Sequence, residues 1–236
     1  MAKRVLLTGF EPFGEHRVNP SELLVRSLEG RTIGGRAVAV RVLPSETRTL
    51  RDRLEAALVE EQPEVVVGFG LAARRAALAL ERVAINLLDF ETPDAVGTMR
   101  KGDAIARGGP DARLATLPLD AIVAGWQTLG VPGYISNSAG TFLCNQWLYE
   151  ALSLSTNSAP PVVTGFVHLP CLPAQAIELG VERTPSMTLE LMKKGVESLI
   201  ESIGSWLDAR PVLPAKATAA APNQMWIPRG IREVER

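Results

Sequence analysis

The sequence contains few of the residues from which disulfide frameworks and metal sites are built. There are two cysteines and two histidines among 236 residues. Cys144 and Cys171 lie 27 positions apart, and they form no cluster with His16 or His168 that has the spacing of metal ligands. We therefore expect no disulfide and no metal site, and reduced thiols of the kind that cytoplasmic proteins keep.

The sequence also lacks an excess of either charge and any long apolar run. Lysine and arginine number 25, and aspartate and glutamate number 26, so there is no electrostatic footprint for nucleic acid or for an anionic membrane. The first apolar run ends at Glu11 and Pro12, far short of a secretory signal. No stretch approaches the roughly 18 apolar residues of a membrane span. We expect a cytoplasmic protein with no nucleic-acid or membrane partner.

Two nucleotide-binding loops are missing as well. The segment "TGFEPFG" has Gly9 and Gly14 but lacks the third glycine of a dinucleotide-binding loop. No Lys-Ser or Lys-Thr pair follows it to make a phosphate-binding loop. The segment therefore needs another explanation.

The first part of the chain alternates between short apolar runs and helical patterns. Three apolar runs predict buried strands, at residues 3 to 8, 37 to 44 and 63 to 70. The first helix between them begins with Asn19 as N-cap and Pro20 at the first helical position. The second is predicted over residues 45 to 62. This βαβαβ order favours parallel pairing, so we expect an α/β domain.

The remainder of the chain continues the alternation with one long exception. Residues 77 to 90 alternate with a period of two, which predicts a strand whose Glu81 points away from the side that carries Arg82. Residues 91 to 118 are rich in Gly, Pro and charge and predict a long loop or a small hairpin. The later predicted elements are a helix at residues 119 to 129, a strand at 133 to 136, the helix that contains Cys144 at 141 to 152, a strand at 162 to 169 and a long final helix up to about 208. Apolar residues recur at helical spacing along the final helix and predict its buried face: Met192, Val196, Leu199, Ile203 and Leu207.

These elements predict one domain over residues 1 to 208. From residue 209 to residue 236 the composition changes to Ala and Pro, which predicts a C-terminal extension. A short apolar peptide within it, Met225 to Ile227, either docks on another surface or belongs to a frayed terminus.

Cys144 has two interpretations. It shares a helical face with Trp147, Leu148 and Ala151, and composition alone favours a core cysteine because free cysteines are mostly buried. The preceding "SAGT" resembles a turn into a helix start, where free N–H groups and the helix dipole lower the pKa of a thiol and hold an oxyanion. The second interpretation makes Cys144 a nucleophile.

A cysteine nucleophile requires a base and a group that orients the base. His16 lies in a polar loop and is most simply a solvated surface residue. His168 ends an apolar run and so lies at the carboxyl end of a predicted strand, where open α/β sheets bind ligands. The alternative is a histidine in the core whose hydrogen bonds are satisfied. Glu81 interrupts an apolar strand, so it is either the orienting acid or one half of a structural ion pair with Arg75 or Arg82.

The same segments resemble the pyroglutamyl-peptidase I (pyrrolidone-carboxylate peptidase) family of cysteine peptidases. The matching stretches run in order from residue 5 to about 208, and they are "VLLTGFEPFG", "NPS", "ERVAINLLD", "PDAVG", "ISNSAGTFLCN" and "GFVHLP" followed by "PAQ". The resemblance implies a three-layer α/β/α sandwich of the phosphorylase/hydrolase-like type, with a twisted, largely parallel (mixed) central sheet. It also implies an enzyme without a cofactor that removes an N-terminal pyroglutamate from peptides, and a homo-oligomer, commonly a tetramer.

Roles for individual residues follow from this resemblance. Cys144 matches the nucleophile, His168 the general base and Glu81 the acid that orients it. Arg75 matches an arginine linked to the oxyanion site. Four further residues match positions that line the lactam pocket: Phe10, Phe13, Leu71 and Phe142.

The sequence departs from the family pattern at three positions near the predicted site. Arg74 stands where a glycine is usual, Ala95 belongs to "PDAVG" where the family has a more polar loop, and Cys171 replaces a tyrosine. None of these removes a member of the triad. We expect Cys171 to be a buried filler rather than a competing thiol.

Two other functions compete with the peptidase. One is a small-molecule or peptide-binding protein that kept the fold and lost the activity, which the unusual loop supports. The other is a phosphorylase-type transferase, which the absence of a convergent basic phosphate site in the sequence disfavours.

Overall fold

A seven-stranded sheet lies at the centre of the computed structural model, which describes residues 3 to 14 and 17 to 209. Nine strands are found there: β1 (Arg4–Phe10), β2 (Thr32–Ile33), β3 (Arg36–Leu43), β4 (Val65–Leu71), β5 (Leu78–Glu81), β6 (Val83–Ile85), β7 (Ala112–Leu114), β8 (Gly133–Ser136) and β9 (Val163–Leu169). The main sheet has the order β2-β3-β1-β4-β9-β5-β8, and β6 and β7 form a separate antiparallel pair.

The main sheet is mixed. Strand β1 pairs in parallel with β3 and β4, and β4 pairs in parallel with β9, which confirms the parallel pairing predicted for the first three strands. Strand β5 runs antiparallel to β9 and parallel to β8, and the short β2 is an antiparallel edge strand. A largely parallel sheet with an antiparallel insertion is therefore the frame on which the site is built.

Helices cover both faces of this sheet. They are α1 (Pro20–Arg26), α2 (Leu50–Glu61), α3 (Leu119–Thr128), α4 (Leu143–Thr156), α5 (Pro173–Leu179) and α6 (Leu189–Asp208). One apolar core contains side chains of α1, α3 and α6, and the second contains side chains of α2 and α4. Two cores separated by a sheet make three layers, so the predicted α/β/α sandwich is confirmed.

Local signals explain where several of these helices begin and pack. The side chain of Asn19 accepts a hydrogen bond from the Ser21 N–H at 3.1 Å and caps α1, as predicted. The predicted apolar spacing of α6 is also confirmed, because Met192, Val196 and Ile203 are fully buried in the first core. Helix α6 thereby covers one face of the sheet together with α1 and α3, and α2 and α4 cover the other.

Two sequence predictions about these elements were wrong, and one helix was missed. The strand predicted over residues 77 to 90 breaks at Arg82 into β5 and β6, because the chain leaves the main sheet there. Helix α2 begins at Leu50 rather than at residue 45, and the intervening residues form a polar loop. Helix α5 was not predicted at all, since its seven residues give too short a periodic pattern.

Some predictions concern residues outside the described ranges or a boundary at their end. His16 and the apolar peptide at residues 225 to 227 lie outside the described residues. Helix α6 ends at Asp208, and the domain boundary at residue 208 stays a prediction. Among residues 3 to 14 and 17 to 209, no helix is long and apolar enough to cross a membrane, and no group of three or more His, Cys, Asp or Glu is placed to hold a metal ion.

Candidate active site

Cys144 is the second residue of α4, next to the carboxyl end of β4. Two polar side chains fix this end of the helix. Thr141 donates a hydrogen bond from Oγ1 to the Asp89 carbonyl at 2.7 Å, and Asn145 accepts from the Ile85 N–H and donates to the Ile85 carbonyl, both at 2.9 Å. The predicted helix start is therefore present, and its first N–H groups have no acceptor within the helix.

His168 and Glu81 are joined by a hydrogen bond, and both are buried. The distance from His168 Nδ1 to Glu81 Oε1 is 2.7 Å. The two side chains reach each other because β5 is antiparallel to β9: Glu81 faces Phe166, so His168 is its diagonal neighbour on the same face of the sheet. An acceptor carboxylate holds the proton on Nδ1 and leaves Nε2 as the basic nitrogen. Burial lowers the pKa of His168, which keeps the imidazole neutral before reaction.

The thiol of Cys144 lies on the same face of the sheet as this imidazole. Gly70 is the register partner of His168 in the parallel pair of β4 and β9, so a side chain at position 70 would project from the same face as the imidazole. A Cβ built on Gly70 would lie 2.7 Å from Cys144 Sγ. The sulfur thus fills the space that the missing side chain leaves, one strand away from His168. Only glycine at this position lets α4 bring its thiol so close to the sheet.

The pKa of Cys144 is raised, in the direction opposite to the one that the helix start predicts. The helix start and the Arg75 charge both act to lower the pKa of the thiol, as the sequence suggested. Burial acts in the opposite direction and is the largest effect, and the Glu81 carboxylate adds to it, so that the pKa of Cys144 rises to about 12. A pKa this high favours a neutral thiol over a preformed thiolate in the resting site.

This raised pKa predicts how Cys144 reacts with iodoacetamide in the protein without a ligand. Below its pKa the thiolate fraction grows with pH, so the alkylation rate should rise about tenfold per pH unit from about pH 6 to about pH 9. Labelling is followed by mass spectrometry after cleavage at Glu150, which places Cys144 and Cys171 on separate peptides. A rate that is already constant below about pH 8 would show that a thiolate exists at rest.

Arg75 holds the outer side of the Glu81 carboxylate. Its Nη1 donates to Glu81 Oε1 at 2.6 Å and to Ser136 Oγ at 3.1 Å, and its Nη2 donates to the Ser138 carbonyl at 2.9 Å. Arg82, the other candidate partner, instead donates to the side chain of Asn137. Glu81 is therefore both the acid that orients His168 and one half of an ion pair with Arg75, because its Oε1 accepts a hydrogen bond from each of them. The oxyanion role of Arg75 stays a prediction.

A small cavity opens next to the sulfur, and it contains the residues expected for the lactam pocket. Nine residues line it: Phe10, Phe13, Asn19, Ser45, Gly70, Leu71, Phe142, Leu143 and Cys144. The ring of Phe142 packs against Phe13 and Phe90, with centroid distances of 5.7 and 4.4 Å. The structure thus brings all four predicted pocket residues together at the carboxyl edge of the sheet.

Two polar pocket residues were missed in the sequence. Asn19 was interpreted only as a helix cap, and Ser45 was placed inside a predicted helix. In the structure Asn19 also donates to the Glu11 carbonyl at 3.2 Å, and Ser45 Oγ donates to the same carbonyl at 2.9 Å. A polar run just before the first apolar residue of α2 was the available signal for a loop.

The three departures from the family pattern lie around the site without blocking it. Arg74 is exposed, and the Ala95 N–H donates to the Ser45 carbonyl at 2.9 Å. Cys171 is fully buried, with its sulfur 4.0 Å from the Ala73 carbonyl oxygen. Burial on this scale supports its interpretation as a filler.

Comparison with known proteins agrees with this geometry. A sequence model described as pyroglutamyl peptidase matches residues 3–205. The pyrrolidone-carboxylate peptidase of Pyrococcus furiosus is 38% identical over 206 residues, which cover 85% of this chain and 99% of that protein. The enzyme of the same name from Chromobacterium violaceum is 46% identical over 175 residues, or 74% of this chain and 81% of that protein.

Solved structures give the same result for the fold. A mutant pyrrolidone carboxyl peptidase of P. furiosus superposes with a TM-score of 0.84 at 37% identity, covering 86% of this chain and 99% of the other. Pyroglutamyl peptidase I of Bacillus amyloliquefaciens superposes with a TM-score of 0.82 at 33% identity, covering 86% and 97%. Together with the family match over most of the sequence, these similarities show that the chain belongs to the pyroglutamyl peptidase family.

Proposed function

We propose that this protein is a cysteine-type omega-peptidase that hydrolyses the amide bond after an N-terminal pyroglutamate, with Cys144 as nucleophile, His168 as general base and Glu81 as orienting acid. The observation that carries the proposal is the 2.7 Å hydrogen bond between His168 Nδ1 and Glu81 Oε1, on the face of the sheet where the Cys144 sulfur packs against Gly70. Membership of the pyroglutamyl peptidase family supports the choice of substrate.

The first half of the reaction forms a thioester. As Cys144 Sγ attacks the scissile carbonyl carbon, its proton passes to His168 Nε2, since the thiol is neutral at rest. The Glu81 carboxylate stabilises the imidazolium that results. When the C–N bond breaks, His168 returns this proton to the leaving amine. Backbone N–H groups at the start of α4 stabilise the oxyanion, with Arg75 as a further candidate.

The second half of the reaction releases pyroglutamate. A water molecule gives one proton to His168 Nε2 while its oxygen attacks the thioester carbon. The C–S bond then breaks, pyroglutamic acid leaves, and the proton returns to the sulfur of Cys144. The reaction needs no cofactor, because every proton moves between the thiol, the imidazole, water and the substrate.

The pocket suits a flat, neutral lactam. Pyroglutamate has no terminal ammonium, and the apolar rings of Phe10, Phe13 and Phe142 bury its ring without an unpaired charge. Proline has the same ring but lacks the lactam carbonyl. A site that donates a hydrogen bond to that carbonyl therefore rejects proline.

The substrate class is tested with fluorogenic amides of pyroglutamate, proline and alanine under reducing conditions. We expect rapid release of the fluorophore from the pyroglutamyl amide and a kcat/KM at least about 10²-fold lower for the other two. A wild-type protein that binds the pyroglutamyl amide without cleaving it would favour the binding protein instead. Cleavage of all three amides at similar rates would contradict the assigned pocket.

Location and assembly follow the family resemblance. We propose a cytoplasmic enzyme with reduced thiols, since the mechanism needs a free Cys144. We also propose that it forms a homotetramer. Its partners are peptide substrates, and neither nucleic acid nor a membrane is among them. The division into a peptidase domain of residues 1 to 208 and a separate extension belongs to this proposal too.

A further inference from the structure

Asp94 is a buried carboxylate whose two oxygens have different partners. Oδ1 accepts hydrogen bonds from the Val96 N–H at 3.1 Å and from the Thr98 N–H at 2.7 Å, which closes a turn within its own segment. Oδ2 accepts from the Thr47 N–H at 2.9 Å, on a different loop. The side chain is only 5% exposed. One oxygen thus shapes the turn, and the other ties the turn to the chain before α2.

A second bond next to this one makes the tie a clamp. The Ala95 N–H donates to the Ser45 carbonyl at 2.9 Å, so residues 94 and 95 hold residues 45 and 47 by two hydrogen bonds. Ser45 lines the cavity next to Cys144, and it donates from Oγ to the Glu11 carbonyl. The clamp therefore fixes the position of Ser45 in the cavity wall, although Asp94 and Ala95 do not line the cavity themselves.

The loop held by the clamp is also attached to α4. Thr47 donates from Oγ1 to the Gln146 side chain at 2.6 Å, and the Gln146 amide donates to the Thr47 carbonyl at 2.9 Å. Thr47 and Gln146 are buried, as Asp94 is. The hydrogen bond from the Thr47 N–H to the Asp94 carboxylate is stronger than the two bonds to Gln146, because its acceptor is charged. The wall with Ser45 is thus positioned relative to the helix that carries Cys144.

We propose that Asp94 is a positioning residue for recognition of the pyroglutamyl ring, acting through Thr47 and Ser45. This inference rests on the proposed function. Asp94 does not line the cavity itself, so its effect reaches the substrate only through the placement of the Ser45 wall. Loss of the clamp therefore weakens binding of the ring and leaves the chemistry of Cys144 and His168 intact.

The variant Asp94→Asn separates the two oxygens. An asparagine keeps the Oδ1 acceptor for Val96 and Thr98, but it places an amide N–H₂ opposite the Thr47 N–H, where two donors cannot bond. We expect KM for the pyroglutamyl amide to rise about tenfold, with kcat within about twofold of wild type. The inhibition constant of 2-pyrrolidone, which is the lactam ring alone, should rise by the same factor.

The matched control is Asp103→Asn, in the same segment and with the same chemical change. The Asp103 side chain is half exposed, and its contact with Arg100 is a loose one of 3.7 Å, so KM and kcat should stay at wild-type values. Thermal unfolding of both variants shows whether the fold is kept. If Asp94→Asn is not soluble, Asp94→Ser replaces it, because a serine hydroxyl caps the turn without reaching Thr47.

Three outcomes separate the inference from the proposed function. A rise in KM and in the 2-pyrrolidone constant at unchanged kcat supports the positioning role. Equal KM values for Asp94→Asn, Asp103→Asn and wild type overturn it, as does a fall in kcat alone. Failure of wild type to cleave the pyroglutamyl amide would instead overturn the proposed function.

Discussion

Replacement of Cys144 by alanine is expected to lower kcat by at least about 10³-fold, since no thioester can then form. The substitution removes one sulfur atom next to Gly70 and leaves α4, His168 and the aromatic pocket in place. Binding of 2-pyrrolidone should therefore persist. The measurement is kcat and KM for a pyroglutamyl amide, together with the inhibition constant for the lactam.

The second cysteine supplies the control for this variant. Cys171 is a free cysteine like Cys144, but it is buried, and its sulfur lies next to the Ala73 carbonyl rather than next to Gly70. Cys171→Ala should keep kcat within about twofold of wild type, at some cost in stability from the lost packing. Full activity in Cys144→Ala would remove Cys144 from the mechanism. An inactive Cys171→Ala that remains folded would contradict the filler role of Cys171.

Replacement of Glu81 by glutamine is expected to lower kcat by about 10²- to 10⁴-fold with a much smaller change in KM. Glu81 Oε1 accepts from both His168 Nδ1 and Arg75 Nη1. A glutamine that turns its N–H₂ toward the imidazole forces Nδ1 to become the acceptor and moves the proton to Nε2. His168 then faces the thiol with a donor and cannot take its proton.

A second ion-paired carboxylate serves as the matched control for Glu81→Gln. Glu64 lies just before β4, at the opposite end from the site, and pairs with the buried Arg36 at 2.6 Å. Glu64→Gln should lower stability by breaking this pair and leave kcat unchanged. If Glu81→Gln keeps kcat within about twofold of wild type, the orienting role is lost. A fall in melting temperature alone would make Glu81 a structural residue.

Much of the fold could be predicted because local patterns dominate it. Continuous apolar runs gave the strands buried on both faces, and the cap at Asn19 and the spacing of Met192, Val196 and Ile203 gave two of the helices. The break at Arg82 could not be predicted, because the alternation of residues continues through it while the chain leaves the sheet. Antiparallel pairing of β5 likewise depends on contacts distant in the sequence.

The site was predictable in its residues and not in its physical state. Ordered motifs gave Cys144, His168 and the aromatic pocket, since each motif is local. The pKa of Cys144 depends on how completely the thiol is buried and on its distance from Glu81, and neither can be read from the sequence. Ser45 and Asp94 were missed for the same reason, because their contacts join loops about 50 residues apart.

The most direct measurement of the central claim is acid quench of a reaction within its first turnovers, followed by mass spectrometry of the digested protein. The mechanism predicts one pyroglutamyl group as a thioester on the peptide that contains Cys144, which disappears as the substrate is exhausted and is absent from Cys144→Ala. Turnover of the pyroglutamyl amide in a protein that never carries this group, or that carries it on Cys171, would contradict the mechanism.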